Sequence, residues 1–365
     1  MQDARQKASI VVNGRYRLHR ITGVQRYAHE IVSRLGREVD LCTPQSAKGV
    51  AGHLWEQSLL PLACSGRLLW SPCGSGPIAY GRQVVTFHDL FPLDHPEWYG
   101  AAYSRWYRVM MRRLAARAIH LIAVSEYTKS RLVQLLGRDP LQITVIHNGC
   151  HTLGRSDPRQ ISEARRSLNL PTRRYVLSLS SLERRKNLPA ILEAWSIIHQ
   201  QLPGDIWLVL AGPKADEAIY GKQESAVNLP RVMFTGYVPE AHLAGLYSGA
   251  SLFVFPSLAE GFGLPLLEAM ACGVRCIASR TSSLPEVGGD VVDYIDPRSP
   301  VELAAGMLKQ LRNNPYPSIP FDPGMDRAKR FTWESAASRT REVLAATLDA
   351  TRSHHHPYYE KSEAL

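Results

Sequence analysis

The segment FPSLAEGFGLPLLEAMACG, residues 255–273, sets two carboxylates, Glu260 and Glu268, on either side of a glycine-rich turn. Gly261 and Gly263 follow the apolar run Ser251–Pro256, Pro265 suits the first turn of a helix, and Gly273 suits its end. Glycines let backbone approach a ligand closely, and the N–H groups that open a helix bond phosphate or sugar oxygens. Glu260 precedes the helix and Glu268 lies inside it, so the pair can hold different hydroxyls of one extended ligand. Read as plain turn formers and a surface acid, these residues leave their coincidence after a buried strand without a cause. A second cluster, Glu183-Arg184-Arg185-Lys186-Asn187, follows the apolar run Tyr175–Leu182. Adjacent cations between a strand and a helix neutralise a diphosphate leaving group with little backbone freedom. Alone, such a run reads as a solvated turn; beside the Glu260 segment it reads as a phosphate site.

TFHDL, residues 86–90, ends an apolar run in His88, with Asp89 beside it. An isolated strand-end histidine is usually structural, and Asp89 either positions a second substrate or caps the turn. The absences count as well. No Asp-x-Asp pair occurs, so no divalent metal bound by that motif is expected. GxGxxG and GxxxxGK[ST] are also missing, which weakens nicotinamide and P-loop readings.

These residues need strands to carry them. Apolar runs at Ser9–Asn13, Val39–Thr43, Leu68–Ser71, Val84–His88, Leu121–Ser125 and Thr144–His147 alternate with helical stretches near 24–36, 101–118 and 126–136. The pattern repeats at Tyr175–Leu182, Ile206–Ala211, Val232–Tyr237, Ser251–Pro256, Arg275–Ala278 and Val291–Ile295, with helices at 188–201, 240–249 and 300–312. Continuous apolar strands separated by helices predict α/β architecture: two doubly wound parallel sheets, each covered on both faces, with ligands at the carboxyl ends of the strands. The expected domains are 1–165 and 166–327, joined by a polar linker over 151–170. Residues 328–365 are expected to form a helix that packs back on the first domain, followed by a tail containing a three-histidine run.

With 365 residues, 45% hydrophobic and 21% charged, the chain can bury two cores without staples, and disorder and coiled coil are excluded. Six scattered cysteines without a CxxC predict reduced, mostly buried thiols. The N-terminus lacks the pattern of a signal peptide and no run is long enough to span a membrane, so a cytoplasmic location is expected. Residues 1–150 hold 19 Lys and Arg against 10 Asp and Glu, and the remainder 24 against 23. The basic half points to a phosphate-bearing partner: a pyrophosphate substrate, an anionic membrane face or a nucleic acid. The stretch 101–117, AAYSRWYRVMMRRLAAR, reads either as a basic amphipathic helix for such a membrane or as a domain helix with solvated arginines.

The Glu260 segment resembles the E-x7-E signature of retaining GT-B glycosyltransferases of family 4, and 183–187 resembles their E-x-R-K-N element. The resemblance runs over residues 9–345 and implies two Rossmann-like domains, a nucleotide diphosphate sugar as donor and no metal. It assigns Arg185 and Lys186 to the diphosphate, Glu268 to the ribose, and Glu260 with the Gly261, Phe262, Gly263 and Leu264 backbone to the sugar. It likewise sets Gly236, Tyr237 and Val238 beside the base and Gly23 of ITGVQRY against the phosphates, with His88 near the transferred sugar. Trp55 of GHLWEQSLLP either lines the acceptor cleft or packs a helix, and Ser125 reaches the cleft. One departure is Ser180-Ser181, where many members carry glycine followed by arginine or threonine, which shifts phosphate binding toward Arg185 and Lys186. The overall likeness is to polysaccharide mannosyltransferases. It implies GDP-mannose as the favoured donor, with UDP-, ADP- or dTDP-sugars as alternatives, and a glycan or polyprenyl-diphosphate-linked glycan as acceptor. It also implies departure and attack on one face of the sugar. A glycosidase using both acids conflicts with their common loop–helix origin. A nucleic-acid or membrane binder leaves the second-half motifs unexplained, and no nucleic-acid partner is expected.

Overall fold

A computed structural model describes residues 8–45, 49–150, 154–170, 174–179, 183–212, 229–313 and 320–353. Ser180-Ser181 and the histidine-containing tail lie outside the described residues. The first sheet comprises β1 (Ile10–Asn13), β2 (Val39–Cys42), β3 (Leu68–Ser71), β4 (Gln83–Phe87), β5 (His120–Ala123) and β6 (Ile143–Val145), in the order β2-β1-β3-β4-β5-β6. The second comprises β7 (Tyr175–Leu179), β8 (Trp207–Ala211), β9 (Val232–Gly236), β10 (Leu252–Phe255), β11 (Cys276–Ser279) and β12 (Asp293–Ile295), in the order β12-β11-β10-β7-β8-β9. Every strand pair is parallel.

Both faces of each sheet are buried, which is why the strands read as unbroken apolar runs rather than alternating ones. On the first sheet, Val12, Trp70, Val84 and Ile122 pack against α1 (Gly23–Leu35) and the Trp333–Ser353 helix. The opposite face packs against α2 (Gly49–Cys64), which follows β2, through Val11 and Leu69. After α3 (Phe91–Asp94), α4 (Ala101–Arg117) and α5 (Glu126–Leu136) cover Val85, Phe87 and Leu121. The apolar side of α4 is therefore core, while Arg105, Arg108, Arg112, Arg113 and Arg117 are exposed.

The stretch 151–170 is not a plain linker: it contains α6 (Pro158–Ser167), packed against the Glu240–Ser248 helix. Asp157 caps α6 by accepting from Arg159 N and Gln160 N, and its own N–H donates to Gln160 Oε1. Gly245 permits the contact, since a Cβ there would meet Gln160 O at 2.7 Å. Five charges in and around the helix conceal the apolar positions Ile161, Ala164 and Leu168 that make it amphipathic. A boundary at residue 165 falls inside it.

The chain returns to the first sheet through a crossing in which Gly149 touches backbone. A Cβ at Gly149 would lie 2.2 Å from Trp333 N, and Cys150 N donates to Phe331 O at 3.0 Å. Neither neighbour is a flexible side chain that can move aside. Gly149→Ala is therefore expected to lower unfolding free energy by about 1–3 kcal/mol in urea titrations, as overpacking does. An unchanged midpoint would show that the crossing is slack.

Each sheet has a point where its winding reverses: between β1 and β3 in the first, and between β7 and β10 in the second. Strand ends diverge there and leave room for a ligand. The loops that follow β7 and β10 are 183–187 and 256–263.

Candidate active site

At the second reversal point, Glu260 joins the two sequence clusters. Its carboxylate accepts from Lys186 Nζ at 2.7 Å on one oxygen and from Arg185 Nη1 at 2.7 Å on the other. Arg185 also pairs with Glu183 at 2.7 Å, and Lys186 lies 4.7 Å from the centre of the Phe255 ring. The backbone around Glu260 is fixed: its N–H donates to Ser282 Oγ at 2.9 Å, and Ser283 Oγ donates to its carbonyl at 2.9 Å. Asn187, itself left-handed (φ 57°), ends the cationic turn and anchors it by donating to the Pro256 and Pro297 carbonyls at 3.0 and 2.7 Å. Burial alone would raise the Glu260 carboxyl, but Arg185 and Lys186 outweigh it and hold it below the usual range. Burial, aided by Arg185, pulls the Lys186 amine below the ordinary lysine range.

Gly263 (φ 101°) turns the chain into the Leu264–Ala271 helix, where Pro265 occupies the first turn. Phe262 is a core residue packed near Phe331 and His147, so this segment faces the cleft through backbone. Glu268 is buried; Oε2 accepts from Tyr247 Oη at 2.8 Å and Oε1 from Arg26 Nη1 at 2.5 Å. Arg26 comes from α1, on the other sheet. Gly23 opens that helix, and a Cβ on it would meet Leu264 Cδ1 at 3.1 Å. The two helix starts therefore face each other across the cleft.

The first sheet contributes the opposite wall. Gly261 abuts the His88 carbonyl so closely that a Cβ would lie 1.8 Å from it. Ser125, the cap of α5, donates to Gly261 O at 2.6 Å, and Thr128 Oγ1 donates to the same oxygen at 3.3 Å. His88 Nε2 donates to Pro72 O at 2.8 Å, and its ring stands edge-on to Tyr27. A carbonyl only accepts, so Nε2 carries the proton and Nδ1 keeps a free lone pair. Burial moves the His88 pKa down to about 4. Its folded pKa thus lies below the unfolded 6.5, so the unfolded chain binds the extra proton between these values. Stability is expected to fall as pH drops from 6.5 toward 4, a component that His88→Gln removes from urea titrations run across that range. Equal pH slopes for both proteins would refute it.

Asp89 accepts from Phe91 N at 3.1 Å, which is the capping role, and its carboxyl, raised by burial, also feels Arg185. Gly236 (φ 70°) ends β9; Tyr237 is 55% exposed, with the Arg20 guanidinium of the first half 4.1 Å over its ring, and Val238 packs on the core. Trp55, half-buried on α2, packs beside Val11, Leu60 and Leu69.

Four contributors escaped sequence reasoning: Arg26, Arg20, Glu183 as an ion-pair partner, and the Ser282–Ser283 clamp. Arg26 had a signal, one helical turn beyond Gly23 in ITGVQRY; the serines had none. Among the described residues, no group of three or more His, Cys, Asp or Glu side chains converges as a metal site would need.

Two parallel-sheet domains facing a cleft, with a glutamate-held cation pair on one wall and a glycine loop on the other, define a GT-B glycosyltransferase scaffold. The chain belongs to glycosyltransferase family 4: residues 160–320 match the family model for glycosyl transferases group 1, and residues 69–153 match that for glycosyltransferase family 4. It is 30% identical to an Escherichia coli O-antigen chain mannosyltransferase B over 71% of this chain and 69% of the relative. It is 29% identical to the E. coli serotype-specific mannosyltransferase WbdA over 74% of this chain and 34% of that longer protein. Among solved structures, Anabaena HepE in complex with UDP and glucose superposes with a TM-score of 0.69 at 19% identity, over 93% of this chain and 99% of that one. WaaG, a glycosyltransferase involved in lipopolysaccharide biosynthesis, superposes with a TM-score of 0.69 at 14% identity, over 92% and 99%.

Proposed function

We propose that this glycosyltransferase moves mannose from GDP-mannose to a glycan, free or linked to polyprenyl diphosphate, with retention at the anomeric carbon and without a divalent metal. The observation that carries the reading is the grip of Glu260 on Arg185 and Lys186 at the reversal point between β7 and β10. There a sugar hydroxyl takes Glu260, and the freed cations neutralise the diphosphate as its bond to the sugar breaks. Glu268 accepts the ribose hydroxyls. His88, neutral and with Nδ1 open, accepts a hydrogen bond from the transferred sugar. The departing phosphate helps deprotonate the acceptor on the same face. Mannose is favoured because the mannosyltransferase relatives match most of this chain.

Calorimetric titration without metal against GDP, UDP, ADP and dTDP, then the matching sugar nucleotides, tests the donor. Preference for GDP that weakens in Glu268→Ala and Lys186→Ala supports the reading. Preference for UDP moves the donor to another sugar nucleotide, and binding of none by folded protein overturns the site.

The same reading places the enzyme in the cytoplasm, against the inner face of the cell membrane, where a lipid-linked acceptor resides. Among the described residues no helix is long and apolar enough to cross a membrane. In its support, α2 and α4 share one face of the first sheet, with His53 5.5 Å from the Trp106 ring. The outer side of α2 exposes Val50, Leu54 and Leu62 (74%, 63% and 73%), and α4 exposes its arginines. Apolar insertion beside cations is how interfacial helices hold anionic lipid. Flotation with phosphatidylglycerol vesicles is expected to fail for Arg112→Glu combined with Arg113→Glu; equal flotation would sink the idea.

A further inference from the structure

We infer that Arg26 is an exchange residue: it guards Glu268 in the free protein and turns to the donor diphosphate once the ribose has taken that carboxylate. The inference rests on the proposed ribose role of Glu268 and extends it to a residue of the opposite domain.

Three observations carry it. First, both oxygens of Glu268 are engaged, Oε2 by Tyr247 of the same domain and Oε1 by Arg26, which reaches over from the other wall of the cleft. The Glu268 side chain is only 6% exposed, so a diol reaching it from the cleft must move aside the group that covers it there. Tyr247 is fully buried on the same domain, whereas Arg26 is 19% exposed at its side chain and reaches across. Second, Arg26 is poorly satisfied where it stands. One Nη1–H bonds Glu268, Nη2 approaches Glu240 at only 3.5 Å, and Nε is buried with no hydrogen-bond partner among the described residues. A guanidinium presents five N–H donors in a planar fork that fits two phosphate oxygens at once, and a buried idle donor is costly. Third, Arg26 lies one turn inside α1, whose first residue, Gly23, faces Leu264 at the start of the helix that carries Glu268. Two helix N-termini, each partly positive, thus converge beside this side chain, and the field at the gap favours an anion.

Both donor-facing acids are paired with cations: Glu260 with Arg185 and Lys186, and Glu268 with Arg26. Hydroxyls of the donor replace the cations on both carboxylates, and the released cations meet the negative charge that the same ligand brings. A nucleoside lacking phosphates therefore breaks the Arg26 pair without supplying it a new partner. Such a ligand binds more weakly by the fraction of molecules in which Glu268 is free.

The test is calorimetry on the full chain at pH 8, where a carboxylate that has lost its cation stays ionised. The probes are guanosine and GDP, with uridine and UDP in parallel. Arg26→Gln is expected to bind the nucleoside about threefold more tightly and the diphosphate about tenfold more weakly, with Arg26→Lys between parent and Gln for the diphosphate. Opposite signs are the signature, because a merely structural role moves both ligands the same way. Parallel losses, or no change in either, overturn the exchange. Glu268→Gln separates the two layers: if nucleoside affinity is unaffected there, the ribose reading fails and the exchange with it. If nucleoside binding collapses in Glu268→Gln while Arg26→Gln shifts both probes alike, only the exchange fails. A parent chain that binds no nucleoside overturns both.

Discussion

Lys186→Ala is expected to lower turnover by about 10²–10³-fold while the protein stays folded, the usual cost of removing one preorganised group from developing charge. The fold survives because Arg185 still neutralises Glu260. Glu260→Ala behaves differently. It leaves Lys186, buried at 9% exposure, and Arg185 without their shared carboxylate, and removing one partner of a buried pair costs about 3–5 kcal/mol. Comparing the two variants by single-turnover release of nucleoside diphosphate and by thermal melts separates chemistry from folding. Parent-like turnover in Lys186→Ala would remove Lys186 from the mechanism. The pH profile adds a sign. Burial and Arg185 hold the Lys186 amine below the ordinary lysine range, so activity declines on the alkaline side before a free lysine would titrate. Lys186→Arg, always charged, loses that limb. On the acid side, Glu260 sits below its unfolded value, so its stabilisation is present at neutral pH and disappears as pH falls through the lowered pKa.

Gly261→Ala is the second large effect. The new methyl would stand 1.8 Å from His88 O and 2.9 Å from His88 C, both backbone atoms, so no rotamer change relieves it. The walls must separate, and the bonds from Ser125 and Thr128 to Gly261 O are lost as they do. Turnover is expected to drop by about 10²-fold or more, as small misplacements in an active site do. Nucleoside diphosphate affinity is expected to fall by no more than the about tenfold that Arg26 supplies from the first domain, because the second domain contributes the rest. Small-angle scattering should report a more open molecule. Ser125→Ala removes one hydrogen bond without the clash and should cost only about 0.5–1.5 kcal/mol. If Gly261→Ala retains parent activity and shape, the contact with His88 does not hold the closed cleft.

Both sheets were readable because a strand covered by helices on each face must be apolar along its whole length. Runs such as LFVF (252–255) and IWLVLA (206–211) carry that requirement without reference to any neighbour. Glu260, Arg185 and Lys186 were readable for a related reason: glycines, acids and adjacent cations at strand ends have few other uses. Reading failed where two roles share one residue type. The capping box of α6 lay inside a charged stretch that passed for a linker.

Residue type and order alone therefore determined the strands, the glycine turns and the charged groups that line the cleft, since each reflects local backbone and burial demands. Which charges meet was beyond them. Arg26 and Glu268 are 242 positions apart, and Gly261 and His88 lie in different domains. Such pairings depend on how the two domains close, and no local periodicity encodes that geometry.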